Sequence, residues 1–214
     1  MSKKLRVGDY FGLELAGGKF IVGRITFDPE QRKAKEGNYG NFNFVQDCYV
    51  IQVYEGIYSR IDSRDLAHLK VLIPGLYIFK SSFYKKLYKP AWRYLDHREV
   101  NPKTVEFPMV ITNAERFYFE YGEISIPIEK GIDIRKTVHA TNSQAVVNAL
   151  HYMGRDDLVR KDYFMPASFL ERSDLRFSEG SVLHDVAAMV GVDLGKGYYQ
   201  LALEHGADLS RLYE

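Results

Sequence analysis

This chain has 214 residues but only one cysteine, Cys48, so it cannot form an internal disulfide bond. No apolar run is long enough to cross a bilayer, and the first residues lack the apolar core of a signal peptide. These absences predict a cytoplasmic protein that does not act in a membrane. The net charge is only +1, which gives no overall attraction to nucleic acid or to an anionic surface.

Patterns that indicate catalysis are also absent. The 6 histidines are dispersed without metal-ligand spacing, so we expect neither a metal ion nor another cofactor. His184-Asp185 is interpreted as a surface histidine beside an acid, rather than as part of a metal-dependent phosphohydrolase centre. Cys48 lies in an apolar stretch, where a cysteine is usually a small buried hydrophobe with a raised pKa. No serine stands in a Gly-x-Ser-x-Gly turn, and Gly195-Lys196-Gly197 is too short for a phosphate-binding loop, so we expect no enzyme activity.

The N-terminal two-thirds of the chain are typical of β-structure. Alternation along residues 19–27 predicts a strand with Ile21, Ile25 and Phe27 on one side. Ala16-Gly17-Gly18 precedes it and predicts a hairpin turn, because glycine adopts positive φ without strain. Further strands are predicted at residues 44–54, 71–79 (with a turn or bulge at Pro74-Gly75), 106–112, 115–121 and 123–128.

Near residue 140 the spacing of apolar residues changes from the two-residue period of a strand to the period of a helix. Thr141 with Gln144 matches a capping box, and residues 182–190 and 198–205 form two further apolar stripes. Ser181 is the predicted N-terminal cap of the helix at residues 182–190, and Gly191 is its predicted end. We therefore expect an α+β protein, with a curled antiparallel sheet or small barrel at residues 1–135 and a helical extension packed on it at 136–214.

Two surface segments are possible contact regions for a partner. Residues 28–41 are polar and almost free of aliphatic side chains, which predicts a long loop that is mobile alone or ordered by a partner, with Tyr39 as its anchor. Residues 171–214 contain eight acids and four bases, and this acidic tail could attract a basic partner.

A third segment, residues 80–103, suggests nucleic-acid binding. It contains seven basic residues interleaved with five aromatic ones, the combination that a single-strand binding groove requires. The net charge near zero and the absence of an RNA-recognition signature favour the ordinary alternative, in which the rings are buried and the lysines solvated. Nucleic-acid binding is therefore the second hypothesis.

Short motifs occur along the first part of the chain, beginning with Val7-Gly8-Asp9-Tyr10-Phe11 and continuing through Gly18-Lys19-Phe20 and Gly23-Arg24-Ile25. They extend to the tryptophan-containing segment Pro90-Ala91-Trp92-Arg93-Tyr94-Leu95 and the proline-bearing Glu106-Phe107-Pro108. With these motifs, about residues 5–125 resemble the immunity protein 26 family of bacterial polymorphic toxin systems.

The resemblance implies a mostly β protein that binds and silences a toxin made by the same cell. Gly8, Gly18 and Gly23 are expected at turns or close strand contacts, Arg24 is expected to pair with a carboxylate, and Trp92 is expected in the core. The predicted partner is a cognate protein toxin, such as a nuclease. The residues predicted to contact it are Tyr39 in the polar loop and Glu179, Asp185, Glu204 and Asp208 in the acidic tail.

Overall fold

The computed structural model describes residues 4–84, 92–113, 116–129, 144–160 and 169–213. Its strands are β1 (Asp9–Glu14), β2 (Phe20–Phe27), β3 (Cys48–Tyr54), β4 (Val71–Phe79), β5 (Trp92–His97), β6 (Met109–Asn113), β7 (Phe117–Tyr121) and β8 (Ile124–Pro127). Its α-helices are α1 (Pro29–Glu36), α2 (Gln144–Tyr152), α3 (Phe169–Ser173), α4 (Val182–Val190) and α5 (Tyr198–Glu204). One antiparallel sheet has the order β4-β3-β2-β1-β5 and a second has the order β6-β7-β8, which confirms the predicted α+β class.

The first two strands form the predicted hairpin. The short 3-10 turn Ala16–Gly18 joins them, with φ values of 71° at Gly17 and 72° at Gly18. Gly23 lies opposite Phe11, and a Cβ at Gly23 would stand 2.5 Å from the Cζ atom of that ring. The glycine therefore allows the fully buried Phe11 ring to lie directly against the neighbouring strand.

Irregularities in strand pairing explain where the predicted strands differ from the observed ones. Ile51 pairs with Leu76 and Val53 with Ile73, so Pro74-Gly75 forms the predicted bulge. A second register shift, between Ile25 and Phe27, sends these two side chains into different clusters of the core. The expectation that Ile21, Ile25 and Phe27 share one side was therefore wrong for Phe27. The strand predicted at residues 44–54 begins only at Cys48, because Gly40–Val45 is a 3-10 helix.

The predicted loop at residues 28–41 is wrong, since most of it is helix α1. Asp28 caps the helix by accepting a hydrogen bond from the Glu30 amide, and the Gln31 side chain accepts one in return from the Asp28 amide. Proline stands at the first helical position, and Gly37 ends the helix with φ of 74°. These capping residues outweigh the low apolar content from which a loop was expected.

The C-terminal helices agree well with the prediction. Helix α4 has the predicted bounds and ends at Gly191 with φ of 70°, while Ser181 donates to Asp185 Oδ2 at 2.7 Å instead of capping the helix. Helix α5 ends at Glu204, one residue before the predicted end. Thr141, the predicted cap of α2, lies outside the described residues, as does the expected boundary near residue 136.

Buried charges tie the C-terminal segment to the second sheet. Arg176 Nη2 pairs with Asp174 at 2.6 Å, and its Nη1 atom pairs with Glu106 at 3.2 Å. The Tyr198 ring packs 4.6 Å from Phe107 and 5.1 Å from Tyr121, measured between ring centroids. One face of β6-β7-β8 is therefore covered by the C-terminal helices, and the opposite face is left for other contacts.

Candidate functional site

The face of the second sheet that points away from the C-terminal helices carries the most unusual chemistry in the described structure. Along β7, Phe117, Phe119 and Tyr121 alternate with Tyr118 and Glu120, and successive strand residues point to opposite faces. Cross-strand pairing places Thr112 beside Tyr118 and Ser125 beside Glu120. A polar set of side chains thus shares the face that points away from the C-terminal helices.

A cavity of about 380 Å³ lies between this face and the 3-10 helix Gly40–Val45. Its size is near the lower end of the range for ligand pockets. Amide, hydroxyl and aromatic groups dominate its surface, and among the described lining residues Glu120 supplies the one carboxyl. These residues are Gly40, Asn41, Asn43, Phe44, Thr112, Asn113, Tyr118, Glu120 and Ser125.

Glu120 is the chemically distinctive residue of the cavity, being only 8% exposed. Its Oε1 atom accepts hydrogen bonds from Ser125 Oγ at 2.8 Å and from Thr112 Oγ1 at 3.3 Å. Its Oε2 atom is buried and accepts no hydrogen bond from the described residues. Burial raises the pKa of the carboxyl to about 7, although the two hydroxyl donors act in the opposite direction.

Burying such a carboxyl lowers the stability of the folded protein. A buried acceptor without a partner loses its hydration without replacement, and the charged form loses most. Glu120 also acts on strand β4 of the first sheet, because burial and nearby charges that include Glu120 raise the pKa of Tyr77 well above its ordinary value. Perturbed ionisable groups in cavities concentrate at functional sites, which makes this the leading candidate site of the chain.

The rim of the cavity is held in place by contacts with the surrounding structure. Asn41 Nδ2 donates to the Glu123 carbonyl at 2.6 Å, which fixes the 3-10 helix against the turn between β7 and β8. The Phe44 ring packs edge-on against Tyr77 with centroids 6.0 Å apart, yet 38% of Phe44 remains exposed. The cavity is therefore a formed feature of the fold whose wall carries both aromatic and amide groups.

The predicted contact residues lie elsewhere and are not brought together at this cavity. Tyr39 is half-buried, donates to Glu30 and stacks under Lys33 Nζ at 4.9 Å. The four acids of the tail are exposed. Glu204 pairs with Lys196 at 2.6 Å, Asp208 accepts from Ser210 N at 2.9 Å, Asp185 accepts from Ser181, and Glu179 follows α3 on the surface.

Several basic and aromatic residues between 80 and 103 form contacts within the protein. Phe83 is buried in the core, Lys80 Nζ lies 2.7 Å from a carboxylate oxygen of Asp28, and the Arg93 guanidinium covers an aromatic ring of β2 at 3.6 Å. Residues 85–91, which include three of the lysines, lie outside the described residues. Among the described residues of this segment, the ring of Phe83 is buried, as the alternative to nucleic-acid binding expects. The ring of Tyr94 is not, since Tyr94 is 38% exposed.

Two further expectations concern single residues of the hairpin and core. Arg24 was expected to pair with a carboxylate, but its Nη2 atom donates to the carbonyls of Arg98 at 3.0 Å and Glu99 at 2.8 Å. Trp92 donates from Nε1 to the Phe83 carbonyl at 2.6 Å and is partly buried against the core. Both residues therefore hold β5 and the segment that follows it.

The cysteine and histidine residues considered in the sequence analysis have ordinary surroundings. Cys48 is buried, and burial raises the pKa of its thiol to about 12, as expected. In the part of the chain that the structure describes, no three or more His, Cys, Asp or Glu side chains converge as a metal site would require. His184 lies exposed on α4.

Glu120 was missed because its signal is weak in the sequence. The pattern Phe-Tyr-Phe-Glu-Tyr from Phe117 to Tyr121 does indicate a strand with Tyr118 and Glu120 on one face. The burial of that face depends on Gly40–Val45, which lies about 75 residues earlier in the chain and was expected to be partly loop and partly strand. An acid on a strand is usually solvated, so nothing local predicted its burial.

No protein-family model, no curated protein and no solved structure matches this chain. The resemblance to the immunity protein 26 family therefore stays a prediction from the sequence. Among the described residues, no helix combines the length and the apolarity needed to cross a bilayer.

Proposed function

We propose that this chain is an immunity protein that binds a cognate bacterial toxin and blocks its active site or substrate path, without catalysing a reaction. The proposal starts from the resemblance of residues 5–125 to the immunity protein 26 family. Among the described residues that carry this resemblance, those of the β1-β2 hairpin have structural roles. A Cβ at Gly8, for example, would stand 2.4 Å from the Arg98 carbonyl oxygen.

The cavity beside Glu120 is the observation that supports the proposal best. Protein interfaces gain most of their affinity from a few side chains that fill pockets, and Tyr, Trp and Arg dominate these anchors. The cavity offers exposed aromatic surface at Phe44, amide groups at Asn43 and Asn113, and a buried carboxyl. This combination suits one anchoring side chain of a partner protein.

Co-expression with a toxin whose gene lies beside the gene for this chain tests the proposal. We expect rescue of growth and a one-to-one complex, measured by light scattering after size-exclusion chromatography. An unrelated toxin serves as the control and should neither be neutralised nor bound. If the neighbouring toxin is not neutralised and forms no complex, the proposal is wrong.

The alternative of nucleic-acid binding makes a different prediction. It expects salt-dependent binding of an oligonucleotide that is weakened by Lys85→Glu combined with Lys86→Glu. No shift in oligonucleotide mobility at low salt would remove this alternative.

A further inference from the structure

We propose that the cavity beside Glu120 receives the guanidinium group of an arginine on the partner protein. This inference rests on the proposed function and specifies the chemistry of its binding site. Three features of the described residues support it: no cation pairs with the Glu120 carboxyl, its Oε2 atom accepts no hydrogen bond, and aromatic rings line the cavity.

Among the described residues, no cation forms an ion pair with the Glu120 carboxyl, and its hydrogen-bond donors are hydroxyl groups. None of the four described elements that line the cavity, which are Gly40–Val45, β6, β7 and β8, contains Lys, Arg or His. The nearby Arg32 is already engaged, with Nη1 2.6 Å from Glu123 and Nε 2.9 Å from Glu36. The exposed Arg116, one residue before β7, lies 5.4 Å from the Tyr118 ring centroid and donates from Nε to the Tyr118 hydroxyl at 2.9 Å, so an incoming cation would share that ring with it.

Hydrogen bonding favours a group with several donors. Oε1 of Glu120 already accepts from two hydroxyl groups, whereas Oε2 accepts none from the described residues. A guanidinium presents five N–H donors in a planar fork, so one can serve Oε2 while several remain for other oxygen acceptors of the cavity wall, which includes Asn43. An ammonium has three donors on one atom and cannot span these acceptors in the same way.

Aromatic side chains complete the match. Phe44 and Tyr118 both line the cavity, and arginine binds aromatic faces through cation–π contacts and stacking. Because Oε2 is shielded from water, the arginine has to displace rim side chains slightly as it enters. The cavity volume of about 380 Å³ suits a single long side chain rather than a helix or a strand.

Titration of the whole protein with N-acetyl-L-arginine methylamide tests the cavity without the toxin. We expect saturable binding with a Kd of roughly millimolar size, detected by amide chemical-shift changes at residues 40–45 and 112–125. The neutral citrulline analogue and the lysine analogue should each bind at least about tenfold more weakly. Equal binding of citrulline would overturn the proposal, and equal binding of lysine would overturn its preference for guanidinium.

Variants assign the binding to Glu120. Glu120→Gln should weaken the arginine analogue at least about tenfold, because the charge is lost while the shape is kept. Glu129→Gln removes an exposed carboxylate close in the chain and should leave the affinity unchanged. Tyr118→Leu should weaken binding by about threefold and gives an independent test if Glu120→Gln folds poorly. Unchanged affinity in both cavity variants would overturn the proposal.

The toxin complex separates this inference from the function on which it rests. If the wild-type chain binds the toxin and Glu120→Gln binds it equally well, the arginine site is wrong and the proposed function stands. If the wild-type chain does not bind the toxin, the proposed function is wrong, while the titration with the arginine analogue still decides the chemistry of the cavity. Loss of toxin affinity by about tenfold or more in Glu120→Gln, with Glu129→Gln unaffected, is the expected result.

Discussion

Replacing Glu120 by Gln should make the stability of this protein less dependent on pH. The folded state raises the pKa of the Glu120 carboxyl from 4.5 to about 7, because burial disfavours the charged form. The folded chain thus holds this proton more tightly than the unfolded chain does. This contribution to stability is present below about pH 4.5 and is lost as the pH rises through 7.

The size of the effect follows from the shift. Each pKa unit corresponds to about 1.4 kcal/mol, so the ionised carboxyl costs about 3 kcal/mol at pH 8, as an upper figure. Glutamine has the shape of the protonated acid and no charge. We therefore expect Glu120→Gln to match the wild type at pH 4.5 or below and to exceed it in free energy of unfolding by about 2–3 kcal/mol at pH 8.

Urea unfolding of both proteins between pH 4 and 8 measures this difference directly. Titrations of other groups cancel in the comparison, because both proteins contain them. Glu129→Gln is the matched control, since Glu129 is exposed, and its profile should run parallel to that of the wild type. If the difference between wild type and Glu120→Gln stays constant across this pH range, the carboxyl is not perturbed by burial and the reasoning about the site fails.

Three further substitutions test the architecture, each by its effect on the urea unfolding midpoint. Gly23→Ala should destabilise the protein by about 1–3 kcal/mol, because the new Cβ would stand 2.5 Å from the buried Phe11 ring; an unchanged midpoint would show that the ring has room to move. Asp28→Ala should cost about 1 kcal/mol through loss of the cap of α1, and no loss would favour the loop first expected there. Arg211→Leu should cost about 2 kcal/mol, because Glu123, whose side chain is 3% exposed, would lose its contact at 2.6 Å; an effect near zero would mean that the remaining ion pair of Glu123 suffices.

Local signals in the sequence predicted much of the fold. The hairpin turn at Ala16–Gly18 and the end of α4 at Gly191 depend on glycine conformations that the sequence shows directly. The bulge at Pro74-Gly75 was likewise predicted from a short motif. Helix α1 was missed because the prediction relied on its polar composition and did not consider its capping residues. The different destinations of Ile25 and Phe27 could not be predicted, since a register shift depends on the partner strand.

The site itself depends on contacts between distant segments. Glu120 becomes unusual only because Gly40–Val45 folds over the second sheet and removes its carboxyl from water. A strand position of this kind would be more stable with an uncharged residue, as Glu120→Gln should show. Ionisable groups that burial perturbs this strongly cluster at functional sites. The cost of burying Glu120 is therefore an argument for a binding role, and a partner that supplies the missing positive charge would remove that cost in the complex.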